Sequence, residues 1–72
     1  MKTTIVTTRG TVLTGTLNST KTYIVALDVP KQLIDRQLIE TLYDEQISAT
    51  EYSKDWQIII ERNKIESIEF ED

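Results

Sequence analysis

Ile58-Ile59-Ile60-Glu61-Arg62-Asn63-Lys64-Ile65-Glu66-Ser67-Ile68-Glu69-Phe70 is the stretch that decides the fold class. Three β-branched apolar residues in a row suit a buried strand. The polar break from Glu61 to Lys64 interrupts it. Ile65, Ile68 and Phe70 then carry a second strand into an acidic end. Strand, polar break and strand read as a β-hairpin. A similar unit stands at the other end, where Ile5 and Val6 lead through Arg9-Gly10 into Val12 and Leu13. Two hairpins in so short a chain predict a small, strongly bent sheet or barrel.

Working outward, Thr3 to Thr8 is a β-branched run, and Gly10 supplies the freedom of φ that its turn needs. Thr11 to Leu17 returns as a strand, and Gly15 inside it predicts a bulge or sharp bend. Asn18 to Lys21 reads as a polar turn and residues 22–27 as a third strand. Asp28 is the predicted helix cap, with Pro30 in the first turn, where its missing N–H costs nothing. From Lys31 to Glu45 the apolar spacing lengthens. Leu33, Ile34, Leu38, Ile39, Leu42 and Tyr43 lie on one helical face, with Asp35, Arg36, Glu40, Asp44 and Glu45 opposite. Gln46 to Tyr52 alternates again, Ser53-Lys54-Asp55 is a turn, and Trp56 to Glu61 is a strand. The last strand, Lys64 to Phe70, slips between Ile65 and Ile68, which predicts a bulge. The order βββ–α–βββ predicts one α+β, mostly β domain over residues 1–72. It is expected to be a small antiparallel barrel with one amphipathic helix inserted mid-chain.

Seventy-two residues bury a marginal core, about 60% of the unfolded surface. Small domains add a staple. With no Cys and no His, disulfides and the usual zinc or iron sites are out, and oligomerisation is the staple expected. No apolar run reaches about 18 residues and no signal-peptide pattern is present, so a soluble cytoplasmic protein with no membrane contact is expected. The net charge of −4 is unevenly spread: residues 1–34 carry +3 and residues 35–72 carry −7. Such polarity serves solubility or allows the basic half to meet a neighbour's acidic half. It disfavours sequence-independent binding to nucleic acid, which needs many cations on the phosphates.

The composition also argues against catalysis. The commonest bases and nucleophiles are missing. Gly10 and Gly15 match neither a P-loop nor a dinucleotide fingerprint, so no cofactor is expected. A cap or a solvated helix face accounts for Asp28, Asp44 and Glu45. Tyr23, beside Lys21, could stack on a base, as could Tyr52 and Trp56 around their turn; packing explains Trp56 better. The helix stripe belongs mainly to the core, and a part of it could be shared with a second subunit.

Gly10 to Leu17 (Gly-Thr-Val-Leu-Thr-Gly-Thr-Leu), followed by Tyr23 to Asp28, resembles the first motif of Sm-like proteins. Ile58 to Glu69 looks like their second motif. The resemblance implies a strongly bent barrel of the SH3-like type that forms rings by edge-strand pairing and, in many members, binds single-stranded RNA. The chain departs from the family's pattern in its short loop after Leu17 and in having no Asn directly before Ile24, where Tyr23 stands. Glu61-Arg62 also stands where the family carries Arg-Gly, and the helix sits between the motifs rather than before them. Of the family's base-pocket residues, the match carries over Asn63, with Tyr23 and Arg62.

Three functions follow as expectations. The first is a non-enzymatic, self-assembling interaction module, with Leu38, Leu42, Tyr43 and Trp56 as candidate interface residues. The second is a binder of RNA or another single-stranded nucleic acid, through Arg9, Lys21, Tyr23, Arg62, Asn63 and Lys64 at one barrel edge. The third is an acidic regulator or inhibitor of a basic protein, presenting Glu66, Glu69, Glu71 and Asp72.

Overall fold

Alternation sets the first three strands of the computed structural model, which describes residues 1–72. In β1 (Lys2–Thr7), Thr3, Ile5 and Thr7 point inward. In β2 (Val12–Thr20), Leu13 and Gly15 do, and in β3 (Ile24–Pro30), Val25, Leu27 and Val29 do. A single 3₁₀ turn at Lys31–Leu33 leads to α1 (Arg36–Asp44). Then come β4 (Ser48–Tyr52), β5 (Asp55–Glu61), a second 3₁₀ turn at Arg62–Lys64, and β6 (Ile65–Glu71). The strands form one antiparallel sheet in the order β4-β5-β3-β2-β1-β6.

That order corrects the hairpin reading of Ile58 to Phe70. β5 pairs with β3 and β4, while β6 pairs with β1 alone, so the two Ile-rich strands never share a ladder. Their connection is a corner, and it dictates the shape of the sheet. Three strands separate β5 from β6, a distance of about 19 Å in a flat sheet. The 3₁₀ linker spans only about 8 Å. The sheet must therefore curl to bring the two together. It curls without closing: no ladder joins β4 to β6, and both remain edges.

β2 makes much of the bend. Its first half pairs with β1 and its second half with β3, and the two halves meet at Thr16. Gly15 sits at this crossing. A Cβ there would lie 2.1 Å from the Asp28 carbonyl oxygen, so only glycine lets the two backbones approach. The register skip expected near Gly15 falls at Asn18, between Leu17 and Ser19. Residues 18–20, read as a turn, thus belong to β2. A second skip, at Glu66, lets both Ile65 and Ile68 pack against the core, which explains their three-residue spacing.

The core joins every layer: Ile5, Leu13, Val25, Leu27, Val29, Ile58 and Ile60 from the sheet, with Leu42 of α1 and Ile47 just beyond it. Ile59, between two fully buried neighbours, faces the other side of β5 and is half-buried.

The helix begins later than its periodicity suggests. Asp28 and Pro30 lie in β3, opposite Gln57 and Asp55 of β5. The cap is Asp35, whose Oδ1 accepts a 2.8 Å hydrogen bond from the Leu38 N–H. Pro30 ends a strand because its missing donor cannot extend the ladder. At the other end, Gln46 (φ 59°) takes the left-handed place usual for glycine. Its N–H bonds to the Tyr43 carbonyl (3.0 Å) and that of Ile47 to Leu42 (2.9 Å), which closes the helix and buries Ile47 against Leu42. No helix of the chain is long and apolar enough to cross a membrane.

Candidate interaction surface

The 3₁₀ turn at Arg62–Lys64 gathers the basic residues. On one side it meets the β2–β3 turn: the Arg62 N–H donates to the Tyr23 carbonyl (2.8 Å), and its Nε donates to the Lys21 carbonyl (3.0 Å). Arg62 Nη2 also bonds to Thr20 Oγ1. On the other side, the Thr8 N–H donates to the Lys64 carbonyl (2.9 Å), which brings the β1–β2 turn and Arg9 alongside. Arg9, Lys21, Tyr23, Arg62, Asn63 and Lys64 thus stand around one corner, and Tyr23 is 79% exposed.

The cations at this corner are unequally free. The Arg62 guanidinium is engaged with Lys21 and Thr20. Lys64 Nζ donates to the Gln46 carbonyl (2.8 Å) and lies 3.3 Å from Glu61. Lys21 and Arg9 are exposed and have no carboxylate within ion-pair distance. The corner therefore offers two uncommitted cations and one tyrosine, while its other two cations hold turns together.

The helix stripe is largely spent on the fold. Leu42 is fully buried, and Leu38 and Trp56 are half-buried against the core. Of the four candidate interface residues, Tyr43 alone is freely exposed, at 81%. It lines an open groove with Asp44, Gln46, Ile47 and Ser48, at the start of β4.

A buried carboxylate was not legible as such. Glu45 follows the helix in a position that reads as solvated, yet it is only 8% exposed. Thr7 Oγ1 donates to its Oε1 (2.7 Å), and Thr11 Oγ1 donates to its Oε2. The Thr7 hydroxyl in turn accepts from the Thr11 N–H (3.1 Å). Glu45 thereby ties the end of α1 to the β1–β2 turn. Sequence shows a Thr-rich turn and a distant Glu; only the fold brings them together.

The sheet edges complete the surface. The outward side of β4 carries Ser48, Thr50 and Tyr52, with Tyr52 75% exposed. The one charge on the strand, Glu51, is held by Lys31 at 2.7 Å. β6 differs: Glu66, Glu69 and Glu71 are exposed, and only Glu71 has a cation nearby, Lys2 at 3.5 Å. Comparison of the chain with protein-family models, curated proteins and solved structures finds no match.

Proposed function

We propose that this chain is a non-enzymatic interaction module, a small strongly bent domain of the SH3-like or Sm-like kind that assembles with copies of itself by edge-strand pairing. The observation that carries the reading is the open sheet, whose two edges, β4 and β6, each present unpaired backbone groups to a neighbour. The path of the chain supports the architecture. β1, β2 and β3 run as a meander, and one 3₁₀ turn returns β5 to β6 beside β1. The core supports the need for partners, since nine residues form the whole buried apolar cluster and no disulfide assists them. Light scattering across a range of protein concentrations tests it. A stable mass above one chain is the expected result; a strict monomer at high concentration would end the reading.

A second reading, a binder of single-stranded nucleic acid, is favoured by the convergence of Arg9, Lys21 and Tyr23 around the Arg62–Lys64 turn. A base would stack on Tyr23 while Lys21 and Arg9 meet phosphates. Titration with a short oligonucleotide at low salt tests it through the tyrosine and tryptophan fluorescence. A flat signal eliminates this reading and leaves the first untouched.

A further inference from the structure

We propose that β4 is the self-pairing edge. Two copies join there as a two-fold dimer, antiparallel β4 against β4, in a register centred on Thr50, with Tyr52 of each copy laid over the Tyr43 groove of the other. The inference rests on the self-assembly reading and adds to it the surface, the symmetry and the register.

Charge separates the two edges. β6 paired with a second β6 would bring the unpaired Glu66 and Glu69 of two chains together, and like charges across a ladder are destabilising. β4 carries no such load, because Glu51 is neutralised within its own chain by Lys31. Its outward side, Ser48, Thr50 and Tyr52, is neutral.

The register follows from the five residues of the strand. An antiparallel pair centred on Thr50 sets Thr50 opposite Thr50, a favourable cross-strand pair. Ala49 then faces Glu51, and Ser48 faces Tyr52, so no like charges oppose each other. Ser48 lines the groove beside Tyr43. Each Tyr52 therefore arrives at the groove of the opposite copy, and the two-fold axis makes the arrangement self-complementary.

The aromatic surface is sufficient to matter. Tyr52 and Tyr43 are 75% and 81% exposed, and two copies bring four such rings. Covering them removes on the order of 600 Å² from water. That is about half of the ~1,200 Å² at which specific interfaces begin. Five paired residues on each chain contribute further area and backbone hydrogen bonds.

Cysteine cross-linking tests the register, since the 72 residues contain no cysteine of their own. Residues directly opposite in an antiparallel ladder lie about 4.5–5.5 Å apart at Cα, within the ~4.4–6.8 Å that a disulfide spans. Thr50→Cys should form a covalent dimer on mild oxidation at micromolar protein, and Ser67→Cys on β6 should not. Thr50→Glu, which sets two charges against each other only in the dimer, should give a monomer by light scattering with an unchanged far-ultraviolet circular dichroism spectrum. Cross-linking through Ser67→Cys alone, or an assembled mass that survives Thr50→Glu, overturns the β4 dimer and leaves self-assembly standing. A wild-type chain that is monomeric at every concentration overturns both.

Discussion

Single residues make the sharpest demands on this fold. Gly15 is the first. A methyl group there meets the Asp28 carbonyl at 2.1 Å, so the strand crossing must open to admit it. Gly15→Ala is expected to cost at least about 3 kcal/mol, as overpacking against backbone does at its worst. Urea denaturation followed by tryptophan fluorescence measures the loss; a change below about 0.5 kcal/mol would show that the crossing gives way freely. Glu45 is the second. Its carboxylate accepts from Thr7 and Thr11 and is nearly removed from water. Glu45→Ala leaves the Thr7 hydroxyl without its acceptor and should cost about 2–3 kcal/mol, in line with hydrogen bonds to a charged group. A double-mutant cycle with Thr7→Val isolates the pair, and strict additivity would count against the clamp. Gly15 was half-legible in the chain, because a glycine inside a strand marks a bend or a close approach. Glu45 was not legible at all, because its partners are 34 and 38 residues away and have no sequence mark of their own.

The sequence shows the kind of each element better than its ends. Six strands and one helix were expected, in the order found. Apolar spacing alone starts the helix too early, because Leu33 and Ile34 fit its periodicity although Pro30 closes a strand and a 3₁₀ turn intervenes. Periodicity tells a helix from a strand over a window and does not place its first residue; the cap does. Asp35→Ala should therefore destabilise by about 1 kcal/mol, through the lost bond to the Leu38 N–H. Asp28→Ala should leave helix content unchanged, and thermal melts by circular dichroism compare the two. β5 allows a similar comparison along one strand. Ile58 is fully buried and Ile59 lies on the other face, half-buried. Ile58→Asp should abolish cooperative folding, while Ile59→Asp should leave a folded, weakened protein. Equal damage from both would mean that the outer face of β5 is as closed as the inner.

At the scale of the whole molecule, the sheet is open and curled over a small core, and the proposed assembly would join its edges. Linkage makes this measurable. A chain stabilised by association melts at a temperature that rises with its own concentration. The wild type should show that rise between micromolar and millimolar protein, and Thr50→Glu should not; a melting temperature independent of concentration in both would tell against assembly. The uneven charge, +3 over residues 1–34 and −7 over residues 35–72, was plain from the chain; folding leaves β6 acidic and sets Arg9 and Lys21 beside Arg62 and Lys64 of the acidic part. Sequence by itself determined the strands, the helix, the inward and outward alternation and the absence of disulfides, because these depend on neighbours a few residues apart. Tertiary structure alone decided that Ile58–Ile60 and Ile65–Phe70 are not a hairpin, since either strand could pair with any other of suitable length and only the shared core selects among them. It decided too that Leu42 is spent inside while Tyr43 and Tyr52 stand free, because a helix or edge strand offers one face to the core and the packing of distant residues chooses which.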